Sequence, residues 1–170
     1  AVDNFDRVCN LARDVKKHYV DDTERGDMPP MVIVEQNGEL ACVVIAPEVN
    51  KHAGLYAVEI LASVAKPTAI TIVADAHSAK MPKVEGESNE EAEQRVRETY
   101  PPGSMQRMCD EEGACERGEI VDCLIIHRHT REDKVTTQTL PYDYHGKDGG
   151  RPFAWLDDHD KTTNGRHETD

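Results

Sequence analysis

The residues of this chain best suited to chemistry are two histidines at the end of an alternating run, GEIVDCLIIHRHT. Five residues of this run fall two apart in the sequence: Val121, Cys123, Ile125, His127 and His129. Side chains at that spacing share one face of an extended strand. Two neighbouring imidazoles can share a metal ion or flank a substrate, so His127 and His129 are the first candidate site.

Further ligands for a metal ion stand in two neighbouring segments. Asp75 and His77 follow the apolar run TAITIVA, and open α/β sheets bind ligands beyond the carboxyl ends of their strands. Asp143 and His145 lie on the segment that would pair with the histidine strand. Imidazole and carboxylate ligands suit zinc or manganese. If the chain is a metal-dependent hydrolase, we expect Asp75, His127 and His129 to bind the metal ion. His77, Asp143 and His145 are the further candidate ligands.

The alternative is that the same residues are structural. His127 and His129 would then lie half-exposed at a frayed strand end and pair across a hairpin with Thr or Gln. Asp75 would cap a turn, and His77 would face solvent. No cofactor is expected on this interpretation.

The His-x-His pair resembles the metal-binding pair of JAMM-type peptidases. That family also needs a Ser and an Asp at fixed distances after the histidines. Thr137 stands in place of the Ser, and Leu140 in place of the Asp. Two of the four ligands are therefore missing, and the resemblance does not carry the peptidase activity to this chain.

Composition excludes several classes of function. The 170 residues carry a net charge of −13, from 33 acidic and 20 basic side chains. Nucleic-acid binding depends on Lys and Arg that displace counterions, so direct binding of nucleic acid is not expected. The longest apolar run is far too short to span a membrane. Phosphate-binding glycine loops, GxSxG and HExxH are absent from the sequence.

The five cysteines are an odd set without a CxxC pair. Cys9, Cys42 and Cys123 lie in apolar patterns, which is typical of small buried side chains and of a reduced, cytoplasmic protein. Cys109 and Cys115 are six residues apart on a predicted helix, about 120° around its axis. That spacing predicts that they form neither a metal pair nor a disulfide.

Apolar periodicity predicts the elements that position these residues. A helix with one buried stripe covers residues 1–20. Residues 31–46 form a hairpin that turns at Asn37-Gly38. A helix over 51–65 has a broad apolar face and should be well buried. The strand over 68–74, apolar on both faces, should complete a parallel β-α-β crossover.

The second half contains two more helices and a second hairpin. Ser88 begins a capping box for a helix that ends near Thr99. Ser104 can cap a second helix, which ends near Gly118. The hairpin over 120–144 closes the fold. The predicted class is α/β (α+β): a single domain, residues 1–145, with helices packed on a five-stranded mixed sheet. Residues 146–170 are predicted to be a polar arm or a disordered tail.

The hairpin GEIVDCLIIHRHTREDKVTTQTLPYDYHGKDGG and the earlier unit that ends in TIVADAHSAK carry an overall resemblance. Over residues 30–157 the chain resembles uncharacterised small acidic proteins of actinobacteria and their phages. The resemblance implies a cytosolic setting and no particular activity.

Two classes of function follow. The first is a non-catalytic accessory or protein-binding protein of a host or phage cytosol, the setting that the resemblance implies. It would bind a protein partner or a second copy of itself. The second is a metal-dependent hydrolase that uses Asp75, His127 and His129. Convergence of those three side chains would separate the two classes.

Overall fold

The structure is a computed structural model that describes residues 4–44, 51–79, 84–156 and 160–167. The helices are α1 (Phe5–Thr23), α2 (Lys51–Ala65), α3 (Asn89–Thr99) and α4 (Ser104–Glu112). The longer strands are β1 (Met31–Gln36), β2 (Glu39–Val44), β3 (Ala69–Ala79), β4 (Ile120–Thr130) and β5 (Val135–Asp143). Three short strands follow a 3₁₀ turn at Lys147–Gly149: β6 (Ala154–Trp155), β7 (Asp160–Thr163) and β8 (Arg166–His167).

The strands form one antiparallel sheet in the order β2-β1-β3-β4-β5-β7-β8, and β6 pairs with β5 off this path. The predicted five-stranded mixed sheet is therefore wrong. β3 pairs antiparallel with β1, with Met31 opposite Val73 and Glu35 opposite Ala69. β1 thus lies between β2 and β3. The crossover through α2 joins β2 to β3. These two strands run in the same direction, but β1 lies between them.

The first hairpin is confirmed. β1 and β2 pair antiparallel from Met31 opposite Val44 to Gln36 opposite Glu39. Asn37 and Gly38 both have positive φ, 51° and 82°, as a two-residue hairpin turn of the primed type requires. Residues 45 and 46, the end of the predicted hairpin, lie outside the described residues.

The chain divides into two compact units. Unit 1 contains residues 1–75 and 124–170, and unit 2 contains residues 76–123. β3 and β4 each begin in one unit and end in the other.

The core of unit 1 lies where α1 packs on one face of the sheet. Its members are buried apolar side chains of α1, the strands and the segment before β1: Phe5, Val8, Cys9, Ala12, Met28, Met31, Ile33, Val73, Leu124, Ile126 and Leu140. The helix predicted over residues 1–20 is present as Phe5–Thr23, with residues 1–3 of that prediction outside the described part. Its buried stripe matches the three-to-four spacing of its apolar residues.

One charged residue occupies the same stripe. The side chain of Lys16 is 0% exposed, and its Nζ lies 2.9 Å from both carboxylate oxygens of Asp75. It also donates to the Tyr142 hydroxyl at 3.1 Å and to the Gly26 carbonyl. Asp75 accepts two more hydrogen bonds at 2.6 Å, from the Tyr142 hydroxyl and the Met28 amide. This Lys16–Asp75 network joins α1, the segment before β1, β3 and β5.

The C-terminal segment packs back on unit 1. Tyr142 of β5 stacks on Phe153 with ring centroids 5.4 Å apart, and Trp155 meets both rings edge-on. β7 pairs with β5, from Thr136 opposite Thr163 to Thr139 opposite Asp160. The predicted arm or tail thus contributes strands in the residues that the structure describes.

Unit 2 contains α3 and α4. The predicted cap of α3 is confirmed, because the Ser88 hydroxyl accepts a hydrogen bond from the Glu91 amide at 3.1 Å. α4 ends at Glu112 rather than near Gly118, since Gly113 adopts a left-handed conformation with φ 68°. The chain then turns back, and the Ala114 amide donates to the Met108 carbonyl.

The early end of α4 overturns the prediction for its cysteines. Cys109 and Cys115 form a disulfide, with their Cα atoms 4.9 Å apart. The expected separation of about 120° assumed a continuous helix. Cys115 lies beyond the helix, and the turn at Gly113 brings it to Cys109.

We expect Gly38→Val to lower the free energy of unfolding by about 1 kcal/mol or more, because a β-branched side chain is strained at positive φ. No atom lies within 4 Å of a Cβ built at Gly38, so the effect would be backbone strain alone. Gly38→Asn is the matched control, since Asn tolerates this conformation and should lose less. Equal urea unfolding curves for wild type and Gly38→Val would contradict the turn.

We expect Lys16→Met to cost about 3–5 kcal/mol, because it leaves the Asp75 carboxylate largely buried without its counter-charge. Lys17→Met is the control: Lys17 is half-exposed, its Nζ lies 2.7 Å from an Asp21 carboxylate oxygen and 5.9 Å from the Phe153 ring centroid, and its loss should stay within about 1 kcal/mol. Adding Asp75→Asn to Lys16→Met should recover part of the loss in urea unfolding. A cost below about 1 kcal/mol for Lys16→Met would show that the pair does not secure α1.

Candidate binding groove

A groove of about 620 Å³ lies in unit 1 beside α2. Its apolar lining comes from α2 and β3, and its polar lining from α2, β4 and the turn after β4. The lining residues are Val58, Glu59, Ala62, Lys66, Pro67, Ala69, Ile70, Ile72, His127, His129 and Arg131. The volume suits a short peptide segment or a small ligand.

Strand alternation places the two histidines in this groove. Leu124, Ile126 and Arg128 of β4 are buried on the α1 face, so His127 and His129 point to the α2 face. His127 Nδ1 lies 2.9 Å from the Thr137 hydroxyl across the hairpin. His129 Nε2 lies 3.1 Å from an Asp133 carboxylate oxygen in the adjoining turn. Each imidazole therefore has a local partner.

The groove also carries two cationic side chains, Lys66 and Arg131. Neither contacts a carboxylate in the part of the chain that the structure describes. Glu59 is the single acidic residue of the lining. In a chain with a net charge of −13, this is a locally basic, apolar surface that favours an acidic ligand.

α2 itself exposes apolar side chains. Tyr56, Ile60 and Val64 are 65%, 48% and 78% exposed, and their spacing of four places them along one stripe of the helix. Among the residues of α2 whose burial the structure describes, Gly54 alone is buried. The expectation that α2 is well buried is therefore wrong. β3 likewise buries only its α1 face, so the expectation of two buried faces is also wrong.

Asp75 lies on the opposite face of the sheet from the histidine pair. On β3 it shares a face with Thr71 and Val73, which are buried on the α1 side, whereas Ile70 and Ile72 face the groove. Its carboxylate is held within the Lys16–Asp75 network. The structure therefore does not bring Asp75 to the two imidazoles.

Asp143 and His145 are also separate from the pair. Asp143 lies within 3.4 Å of His145 and 3.3 Å of Arg151. It stands six residues beyond Thr137 on β5, which is roughly 20 Å at the rise of a strand. His77 belongs to unit 2, where it contacts Asp122 and Gln106.

Cys9 and Cys123, the free cysteines whose side chains the structure describes, are poor nucleophiles, whereas the side chain of Cys42 lies outside the described part. Cys9 is buried, and this burial raises the pKa of its thiol to about 11, so it stays protonated at neutral pH. Cys123 is 0% exposed, with its Sγ 3.6 Å from the Ala76 carbonyl oxygen.

Sequence reasoning missed several residues that matter here. Lys16 stands four residues from both Ala12 and Val20, so its place in the buried stripe was visible in the sequence. Arg128 alternates with Leu124 and Ile126 and forms a buried bidentate pair with Glu35, at 2.8 and 3.0 Å. Lys66 and Arg131 gave no such signal, because only the strand order brings them to one groove.

Comparison with protein-family models, curated proteins and solved structures finds no match to this chain. Of the helices that the structure describes, none combines the length and the apolar character needed to cross a membrane.

We expect the double change His127→Gln with His129→Gln to alter the free energy of unfolding by no more than about 1 kcal/mol, because both side chains are exposed. Metal content of untagged protein, measured by mass spectrometry, should be equal in both proteins. Loss of one equivalent of zinc or manganese in the double variant would establish a metal site at the pair.

Proposed function

We propose that this chain is a non-catalytic protein-binding protein, and that a partner covers α2 and the groove beside it. The observation that supports this proposal best is the exposure of Tyr56, Ile60 and Val64 on a helix whose other side lines an apolar groove. Exposed contiguous apolar surface is typical of interaction sites. A helix that is apolar on both sides is normally buried, and here a partner would complete its burial.

The partner segment we propose is apolar and carries acidic residues. The apolar walls of the groove favour aliphatic or aromatic side chains. Lys66 and Arg131 at the groove would attract Asp or Glu of the partner, because neither has a carboxylate partner among the described residues. Such pairs at the rim of an interface mainly raise the association rate and the specificity.

The metal-dependent hydrolase has less support. Its three proposed ligands lie on two faces of the sheet, and Asp75 is already neutralised by Lys16. No specific observation in the groove favours hydrolysis over binding.

A cytosolic, phage-related setting stays a proposal based on the resemblance of the sequence. The Cys109–Cys115 disulfide is more typical of an oxidising compartment. In a reducing cytosol these two cysteines would be thiols.

Peptide display against the full chain tests the binding proposal. We expect selection to enrich peptides that combine apolar and acidic residues. Their affinity should fall at least about tenfold for Lys66→Glu with Arg131→Glu, and the loss should be smaller at high salt, where charges are screened. Fluorescence anisotropy of the enriched peptides would measure both effects.

Arg25→Glu with Lys147→Glu is the matched control, because it changes the net charge equally at exposed residues that do not line the groove. It should leave peptide affinity unchanged. Enrichment of basic peptides, or of no class, would contradict the proposal. A stable dimer that Val64→Lys dissociates would assign the surface to a second copy of the chain instead.

A further inference from the structure

Unit 2 brings one imidazole and two sulfurs together. His77 lies near the end of β3, Cys109 on α4, and Cys115 in the turns that follow α4. A ring nitrogen of His77 and the two sulfurs all lie within 4.8 Å of one another, and all three residues are partly exposed. We call these three residues the thiol cluster.

Hydrogen bonds on α4 fix which nitrogen of His77 carries a proton. The Gln106 amide nitrogen donates to both carboxylate oxygens of Asp110 at 3.0 Å. The Gln106 Oε1 atom is thereby turned towards His77 Nε2, at 2.7 Å. An amide oxygen only accepts hydrogen bonds, so Nε2 must donate, and in the neutral ring Nδ1 has a free lone pair.

That lone pair faces a carboxylate. His77 Nδ1 lies 2.9 Å from Asp122 Oδ1, yet Nδ1 is buried and no group in the described part of the chain is aligned to hydrogen-bond with it. Two lone pairs at this distance repel each other unless a cation lies beside them. A proton on Nδ1 would serve, and so would a metal ion that also reaches the two sulfurs.

We propose that the reduced form of this chain binds one zinc ion through the thiol cluster, with Asp122 as the fourth ligand. Two thiolates, an imidazole and a carboxylate are ligand types that zinc takes in tetrahedral sites. With Zn–S bonds of about 2.3 Å, the two sulfurs would lie roughly 3.8 Å apart. Once the disulfide is open, the two sulfurs must separate to that distance, and the Asp122 carboxylate, which contacts His77 but lies outside the 4.8 Å group, must approach them.

The site has two chemical states. A dithiol reductant opens the disulfide by thiol–disulfide exchange: the Cys109–Cys115 bond breaks, the reductant becomes a disulfide, and two thiols form. Zinc then displaces a proton from each thiol as the thiolates coordinate. A small-molecule disulfide would reverse the order by thiol–disulfide exchange: its S–S bond breaks to give two thiols, the Cys109–Cys115 disulfide forms, and zinc is released.

The composition of unit 2 gives such a site a structural purpose. Neither α3 nor α4 contains a buried residue, and the buried apolar residues of this unit are Ala114, Ile120 and Cys123 within its described part. So small a core usually needs a disulfide or a metal. The disulfide joins α4 only to the turn six residues away, whereas zinc would also join α4 to β3.

Titration of the full chain with zinc and with cobalt, before and after reduction by a phosphine, tests the proposal. We expect the reduced chain to bind one equivalent, with release of about two protons per zinc ion and a thiolate-to-cobalt charge-transfer band. The oxidised chain should bind none. Asp122→Asn should weaken binding about 10- to 100-fold, and His77→Gln and Cys115→Ser should abolish stoichiometric binding.

Two controls keep the result decisive. His77→Gln and Asp122→Asn retain both cysteines, so circular dichroism of their oxidised forms can verify folding independently of the metal. His127→Gln with His129→Gln should bind zinc like wild type. No uptake by the reduced wild type, equal uptake by the oxidised form, or unchanged binding in His77→Gln would each overturn the proposal, as would loss of zinc in the control variant.

Discussion

The arrangement of unit 1 depends on the buried charge of Lys16. An ammonium group that is 0% exposed must be paired, since transfer of an unpaired charge out of water costs several kcal/mol. Asp75 and the Tyr142 hydroxyl supply that pairing, and Asp75 in turn holds the Met28 amide. Because these groups come from α1, from the segment before β1 and from two strands, α1 can occupy only one position on the sheet. Any other register would leave a charge without its partner.

This constraint also explains why the two faces of the sheet differ. The α1 face contains the apolar core, the Lys16–Asp75 network and the bidentate Glu35–Arg128 pair, so the described side chains of that face are engaged in packing and ion pairing. The other face meets α2, whose apolar side chains remain partly exposed. The binding surface that we propose lies on the α2 face, while the Asp75 carboxylate, which was expected in a metal site, is paired with Lys16 instead.

Unit 2 is stabilised by different means. Its helices are polar and contain no buried residue, and its local order comes from caps and exposed ion pairs such as Arg117 with Glu119. Exposed pairs of that kind contribute little to stability. The Cys109–Cys115 disulfide restrains the chain of unit 2, where apolar packing is sparse. In the reduced form, we propose that a zinc ion shared with His77 replaces this restraint.

Local pattern determined the local structure of this chain. The stripe of α1, the Asn37-Gly38 turn and the Ser88 cap follow from spacing and backbone preference within a few residues, and each is present. Tertiary structure decided the rest. The position of β3 next to β1 turned the expected mixed sheet into an antiparallel one, because periodicity shows which residues face the core but not which strands are neighbours. Placement of Asp75 on the face opposite His127 has the same cause, since side chains on different strands share a face only once the pairing register is set.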